Sequence, residues 1–278
     1  MSSVLPLDPH RPSAFRAAAF FDLDKTIIAG SSALAFSRPF RRHGLISRRA
    51  ALRSGYAQLL LLLSGADATT MDLLRRRITA LCAGWDVAQV RSVVAETLYE
   101  IVQPLVYAEA TTLIEEHRAE GDEVVVLSAS GAEVVEPIAA MVGADSAVAT
   151  RMAVAGGRYT GVIDYYCYGE AKAEAARRIA DERGYRLADC RAYSDSITDL
   201  PLLEAVGHPT VVNPDRALRR EAVRRGWPVL AFAHPVAVGT RFGRPHRITA
   251  ATGLGVAGLV AAGWFGHRWL GRDRTTAR

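Results

Sequence analysis

Residues 17–26 read AAAFFDLDKT, and this stretch decides how the whole chain is interpreted. Its five apolar residues predict a short buried strand, after which Asp22 and Asp24 follow directly. Residues i and i+2 of a strand point to the same side, so both carboxylates can face one pocket. One of them could then act as a nucleophile while its neighbour moves protons. Asp is also common in turns, so the stretch alone is equally compatible with an ordinary turn after a strand.

The composition limits the classes of protein to consider. The chain has 278 residues, half of them apolar, which is enough for one large domain or two smaller ones. Its three cysteines are odd in number and widely spaced, which argues against a disulfide framework and fits a reducing compartment. The net charge is +5, but no basic motif with interleaved aromatic residues is present. We therefore predict no nucleic-acid partner.

The order of predicted elements indicates an α/β fold. Between the first strand and residue 104 the spacing of apolar residues is helical, and we predict helices at 38–43, 52–63, 71–81 and 87–102. Strands and helices then alternate. Strands are predicted at 124–127, 191–194, 210–212 and 229–232, a hairpin at 147–153 and 158–163, and helices at 108–119, 132–141, 171–183, 199–206 and 216–225. Such alternation predicts a mostly parallel sheet with helices on both faces and a ligand site at the carboxyl ends of its strands.

Three later segments carry polar groups where strands end or helices begin. Ser128 and the amide of Ala129 could hold a phosphate oxygen, although serines after strands are more often helix caps. Lys172 could sit between a carboxylate and a phosphoryl group, or it could be a solvated surface charge. It is one of only two lysines in a chain that otherwise uses Arg. Asp195 and Asp199 could bind Mg²⁺, or Asp199 could simply cap the following helix.

Taken together, these residues resemble the haloacid dehalogenase superfamily. The order Asp-x-Asp-x-Thr, Ser, Lys, Asp-x-x-x-Asp is that superfamily's signature, and the resemblance covers about residues 17–232. GEAK at 169–172 and SDSITDLPLL at 194–203 are most similar to the phosphoserine-phosphatase-like subgroup, subfamily IB. The resemblance implies a Rossmann-like three-layer core at 17–30 and 105–235, with a helical C1-type cap at 31–104 inserted after the first strand.

The resemblance also implies a Mg²⁺-dependent phosphatase that works through an aspartyl-phosphate intermediate. Asp22 would be the nucleophile, and Asp24 would protonate the departing alcohol and then activate water. Mg²⁺ would be held by the carboxylates of Asp22 and Asp195 and the main-chain carbonyl of Asp24, and Asp199 would orient the waters on the metal.

The remaining motif residues would bind phosphate or support the loop. Ser128 and the amide of Ala129 would bind the phosphoryl group, and Lys172 would neutralise charge between it and the nucleophile. Thr26 would fix the loop after the first strand.

One position departs from the family pattern and affects the expected substrate. Phosphoserine phosphatases place a Glu nine positions after the nucleophile, where it recognises the ammonium group of the substrate, and this chain has Ser31 there. We therefore expect a small or lipid-derived phosphomonoester rather than phosphoserine. Phosphoserine phosphatase proper, a phosphotransferase or mutase, and a non-enzymatic membrane-tethered phosphate-binding regulatory module are the alternatives. The sequence leaves the oligomeric state open.

The two ends of the chain differ in composition from the middle. Residues 1–16 contain several prolines and no apolar core, and we interpret them as a disordered leader. Ile248–Gly266 is a run of nineteen uncharged residues, so we predict a C-terminal hydrophobic helix at 248–270 that spans or associates with a membrane. A Gly/Ala-rich helix docked on the protein is the alternative. The expected localisation is a cytoplasmic catalytic domain anchored to the inner face of the cell membrane.

Overall fold

The computed structural model describes residues 16–46, 79–233 and 235. The chain divides into two compact units, Met1–Val238 and Gly239–Arg278, and all described residues belong to the first. Several predicted elements lie wholly or partly outside the described residues. These are the helix at 52–63, residues 1–15 of the leader, residues 71–78 of the helix at 71–81, and the C-terminal helix at 248–270.

The centre of the described fold is a seven-stranded sheet with the order β4-β3-β2-β1-β5-β6-β7. Neighbouring strands run parallel except for the antiparallel hairpin of β3 and β4. The prediction of a mostly parallel sheet with one hairpin is therefore confirmed. The strands are β1 Ala18–Phe21, β2 Glu123–Gly131, β3 Ser146–Ala155, β4 Arg158–Tyr165, β5 Arg191–Ser194, β6 His208–Val212 and β7 Val229–Leu230.

Helices connect these strands, and four of the helices described in full come between β1 and β2. The helices are α1 Ser32–Ala35, α2 Ser37–Arg42, α3 Val87–Val102, α4 Ala108–Glu120, α5 Ala132–Met141, α6 Glu170–Arg183, α7 Leu200–Ala205 and α8 Arg216–Arg225. Residues 79–82 are also helical. Because residues 47–78 lie outside the described part of the chain, the division into a core and a cap at 31–104 stays a prediction.

Strand β1 lies between two apolar layers, and its side chains alternate between them. Ala18 and Phe20 belong to one buried cluster, whereas Ala19 and Phe21 belong to the other. This alternation is the period of two expected for a strand that is covered on both faces. The sheet is thus the middle of three layers, as the sequence predicts.

The register of the sheet fixes where the polar residues emerge. Phe21, the last residue of β1, pairs with Val126 of β2 and with Tyr193 of β5. Strand β1 has β2 on one side and β5 on the other. The order of the strands reverses at β1, which is therefore the topological switch point of the sheet. Ligands in such sheets bind outside the carboxyl ends of the strands at this point.

The prediction of a transmembrane protein is corrected by the described structure. No helix within the described residues is both long and apolar enough to cross a membrane. The longest helix described in full, α3, has 16 residues and contains Arg91, Glu96 and Glu100. At about 1.5 Å per residue it falls short of a hydrocarbon core of about 30 Å. The apolar run that motivated the prediction lies outside the described residues.

Candidate active site

The loop after β1 presents the two carboxylates of the opening stretch. The amide of Asp22 donates to the carbonyl oxygen of Tyr193 at 2.9 Å. This hydrogen bond holds Asp22 beside the carboxyl end of β5. Asp22 is buried, and the buried hydroxyl of Thr26 donates to its Oδ2 at 3.5 Å. Lys25 has a φ of 62° and is exposed, so the chain turns between Asp24 and Thr26. Thr26, which the resemblance assigns to the support of this loop, thus contacts the carboxylate of Asp22.

A buried lysine joins the first and last motifs of the sequence. Lys172 Nζ donates to Asp22 Oδ1 at 2.6 Å and to Asp199 Oδ2 at 2.7 Å. Only 3% of Lys172 is exposed, so the interpretation of this residue as a solvated surface charge is wrong. The hydroxyl of Ser194 also donates to Asp199 Oδ2, at 2.7 Å. One cation is therefore shared by two carboxylates, and all three side chains are buried.

The acid groups outnumber the cation, and their pKa values reflect this. Burial raises the pKa of Asp22 to about 8; Lys172 opposes the shift, while Asp199 and Asp195 add to it. Burial also raises the pKa of Asp195 to about 7, with Lys25 opposing. Burial by itself would lower the pKa of Lys172, but Asp199 and Asp22 together raise it above its usual value. The raised pKa values of Asp22 and Lys172 are consistent with each other. Two carboxylates stabilise the charged form of Lys172, whereas the charge of this one lysine is divided between two carboxylates.

This excess of negative charge fits a bound cation. Asp22, Asp195 and Asp199 offer the hard oxygen ligands that Mg²⁺ prefers. Asp199 Oδ1 is buried and has no hydrogen-bond partner among the described residues. A buried polar atom without a partner is costly, and a water held on a metal ion would satisfy it. The donor set therefore fits Mg²⁺.

A second cluster with metal-ligand chemistry has a different environment. His117, Glu120 and Asp122 lie close together before the amino end of β2, away from the carboxyl ends of the strands. Asp122 Oδ2 accepts from Arg191 at 3.1 Å and lies 3.0 Å from His117 Nδ1. His117 Nε2 lies 2.8 Å from the hydroxyl of Tyr193. The guanidinium of Arg191 already supplies the positive charge here, so we assign no metal to this cluster.

The end of β2 brings the predicted phosphate-binding groups to the same edge. Ser128 is buried, and its Oγ accepts from the amide of Ser130 at 3.2 Å, which leaves the hydroxyl hydrogen able to donate elsewhere. Ala129 is half-buried beside it. The register of β2 against β3 shifts between Ser128 and Gly131, so the strand is irregular where these groups emerge.

Several residues that shape the site escaped the sequence analysis. Asp24 Oδ1 accepts from the amide of Ser32 at 2.9 Å, and Asp24 Oδ2 accepts from the hydroxyl of Ser130 at 3.3 Å. Burial raises the pKa of Asp24, and these hydrogen bonds oppose the shift. Asp215 accepts from the amide of Ile197 at 2.9 Å and donates its own amide to the carbonyl of Asp195 at 2.8 Å. Asp215 also caps α8, so its place directly before this basic helix gave no sign of a role in the site.

Comparisons with known proteins agree with this arrangement. The family model of haloacid dehalogenase-like hydrolases matches residues 19–204. The chain is 60% identical over 248 residues to the Mycobacterium tuberculosis protein named probable phosphatase Rv3661, which covers 88% of this chain and 86% of that protein. It is 33% identical over 257 residues to the Mycobacterium tuberculosis protein named phosphoserine phosphatase SerB1, with 92% and 82% covered. A solved structure of a Bordetella pertussis protein of unknown function has a TM-score of 0.68 and 28% identity, with 78% and 99% covered.

The chain belongs to the haloacid dehalogenase-like hydrolase family. Within that family it is a phosphatase of the phosphoserine-phosphatase-like subgroup, as the motifs in the sequence predict.

Proposed function

We propose that this phosphatase is Mg²⁺-dependent and hydrolyses a small or lipid-derived phosphomonoester through an aspartyl-phosphate intermediate on Asp22. The observation that carries the proposal is the buried Lys172, which contacts both Asp22 and Asp199. A lysine in this position neutralises charge next to a nucleophilic carboxylate, and Ser128 lies at the neighbouring strand end.

The chemistry divides into two displacements at phosphorus. Asp22 attacks with one carboxylate oxygen, an O–P bond forms, and the bond from phosphorus to the substrate alcohol breaks. Asp24 gives its proton to the departing alcohol oxygen. In the second displacement Asp24 takes a proton from water, which attacks phosphorus, and the bond to Asp22 breaks to release inorganic phosphate.

The positions of both carboxylates suit these roles. Lys172 holds Asp22 Oδ1 at 2.6 Å, and Thr26 reaches Oδ2 at 3.5 Å, so the carboxylate has a fixed orientation. Ser128 and the amide of Ala129 bind the phosphoryl oxygens. Asp22, Asp195 and the main-chain carbonyl of Asp24 would hold Mg²⁺, and Asp199 would orient its waters. When bound, the ion supplies charge neutralisation at the transferring phosphoryl group.

The proposed substrate depends on the absence of an acidic side chain at position 31. Ser31 precedes α1 and has no carboxylate with which to pair the ammonium group of phosphoserine. A relative named phosphoserine phosphatase is only 33% identical to this chain. We therefore propose a phosphomonoester other than phosphoserine as the preferred substrate.

A cytoplasmic site of action is part of the same proposal. Cys82, Cys167 and Cys190 are all free. Free cysteines are typical of proteins that work in a reducing compartment.

Release of phosphate by the full chain tests the proposal. We expect hydrolysis of p-nitrophenyl phosphate that stops with EDTA and returns with Mg²⁺. A panel of phosphoserine, glycerol phosphate, sugar phosphates and lysophosphatidic acid should then show a best substrate other than phosphoserine. Phosphoserine as the best substrate would contradict the specificity. Transfer to an added alcohol without release of phosphate would favour a phosphotransferase, and no turnover at all would favour a phosphate-binding regulatory module.

The raised pKa values also predict how the metal-free protein responds to pH. The pKa of Asp22 is about 8 and that of Asp195 about 7, against 3.8 for an ordinary Asp. A group whose pKa is raised in the folded state stabilises the fold below the unfolded pKa, and that contribution is lost as pH rises through the folded value. With EDTA, the site should therefore lose stability between about pH 4 and pH 8. Mg²⁺ should raise Tm at pH 8 by about 2–4 °C for each kcal/mol of binding and have little effect at pH 5.

Thermal melts with EDTA or Mg²⁺ at the two pH values measure this difference. Asp195→Asn is the matched variant, because it removes one of the repelling charges and one metal ligand together. In that variant the Mg²⁺-induced rise in Tm at pH 8 should largely disappear. An equal Mg²⁺ effect at both pH values, or in both proteins, would contradict the assignment of the metal to these carboxylates.

A further inference from the structure

We propose that Ser32 and Ser130 are positioning residues that hold Asp24 in the orientation needed to protonate the leaving group. This inference rests on the proposed function, because it concerns the proton donor of that reaction. We call the two residues the serine clamp.

The serine clamp engages both oxygens of one carboxylate. The amide of Ser32 donates to Asp24 Oδ1 at 2.9 Å, and the hydroxyl of Ser130 donates to Oδ2 at 3.3 Å. The hydroxyl of Ser32 in turn donates to Ser130 Oγ at 2.8 Å. The three hydrogen bonds close a ring among three segments: the loop after β1, the start of α1 and the end of β2.

The direction of these hydrogen bonds matters for proton transfer. Ser32 donates to Ser130, and Ser130 donates to Asp24, so the two hydroxyls form a chain in which each donor strengthens the next. Each oxygen of an ionised carboxylate has two lone pairs, and the amide of Ser32 takes one on Oδ1 while Ser130 takes one on Oδ2. The remaining lone pairs are free for the proton that Asp24 transfers. The clamp therefore fixes the orientation of the carboxyl group without blocking the proton.

The same contacts couple Asp24 to the phosphate-binding segment. The amide of Ser130 donates to Ser128 Oγ at 3.2 Å, so the residue that orients Asp24 is tied to the residue assigned to phosphate. Ser32 is fully buried, which keeps water from replacing its hydroxyl. Proton donors contribute to rate only when they are held in the productive geometry.

A simpler role for the contacts would be local stability, because Asp24 also satisfies an amide in the first turn of α1. The two roles make different predictions for different leaving groups. A nitrophenolate departs readily without a proton, whereas the alkoxide of an alkyl phosphate needs one. Misplacing Asp24 should slow the first displacement selectively for an alkyl phosphate, whereas a general loss of stability would slow it for both substrates.

Kinetics of Ser130→Ala on p-nitrophenyl phosphate and on glycerol phosphate test the clamp. With the full chain and saturating Mg²⁺, we expect kcat/KM, which reports the steps up to departure of the alcohol, to fall about 10-fold further for glycerol phosphate than for p-nitrophenyl phosphate. Ser130→Thr keeps the hydroxyl and should restore most of the difference. Ser92→Ala is the control, since Ser92 donates to Glu96 on the exposed face of α3.

Ser32→Ala tests the same proposal by a second substitution. It removes the hydroxyl that supports Ser130 but leaves the amide that contacts Asp24, so the selective loss should be present and smaller. Equal losses on both substrates, in Ser130→Ala or in a folded Ser32→Ala, would overturn the clamp and leave the proposed function intact. Wild-type protein that hydrolyses neither substrate would overturn the proposed function and the clamp with it.

Discussion

Asp22→Asn is expected to abolish phosphatase activity while leaving the fold intact. We expect kcat for p-nitrophenyl phosphate to fall by at least about 10⁴-fold, on the scale reported for removal of an enzyme's nucleophile. The amide is nearly the same size as the carboxylate, and its oxygen can still accept from Lys172, which lies 2.6 Å from Asp22 Oδ1. It is a far weaker nucleophile, because it has no negative charge. The burial that raises the pKa of Asp22 makes a neutral side chain easy to accommodate.

The control for this variant is another Asp→Asn substitution away from the site. Asp181 is exposed on α6, and Asp181→Asn should keep wild-type activity. Acid quench followed by mass spectrometry should detect a phosphorylated peptide containing Asp22 in the wild type and none in Asp22→Asn. A variant that still hydrolyses the substrate at a wild-type rate would mean that a different residue attacks phosphorus.

Much of the fold was predictable because strongly buried strands leave a plain pattern in the sequence. The apolar run before Asp22 and the valines of β2 are covered on both faces, so they read as continuous apolar stretches. Helix α3 was predicted with its observed bounds, since apolar residues recur at helical spacing and the side chain of Asp86 caps its first turn.

The sequence also marked the candidate site residues, but it did not give most of the contacts among them. The strand ends mark Asp22, Ser128 and Asp195 because parallel strands deliver their carboxyl ends to one edge. Nothing local indicates that Lys172 lies between Asp22 and Asp199, which are 150 and 27 residues away in sequence. That arrangement depends on how β1, β5 and α6 pack, and only the structure gives it.

The contacts of Ser32 and Ser130 with Asp24 could not be predicted from the sequence either. Ser130 lies just beyond the strand predicted at 124–127, but its neighbour Ser128 carried the prediction. Ser32 lies only eight residues after Asp24, yet its amide reaches Oδ1 because the chain turns at Lys25 and then starts α1. A turn with a positive φ at a non-glycine residue is uncommon, so the sequence gives little warning of it.

Lys172→Met is the second substitution with a large expected effect, and it should affect both stability and activity. Removing the ammonium leaves Asp22 and Asp199 buried without their shared cation. Breaking a buried ion pair in this way costs about 3–5 kcal/mol in the free energy of unfolding. The loss should be greater at pH 8 than at pH 5, because buried carboxyls avoid the cost by taking up protons as pH falls. We expect kcat to fall about 10³-fold, since the phosphoryl group loses a fixed positive charge.

A double variant separates the two roles of Lys172. Lys172→Met with Asp199→Asn removes one of the two stranded charges, so urea unfolding should show that part of the lost stability returns. Activity should not return, because no cation then faces the phosphoryl group. Lys172→Arg should also stay inactive, since a larger, planar guanidinium cannot reproduce the contacts of an ammonium held 2.6 Å from Asp22 and 2.7 Å from Asp199. Recovery of activity together with stability in the double variant would mean that Lys172 serves the fold alone.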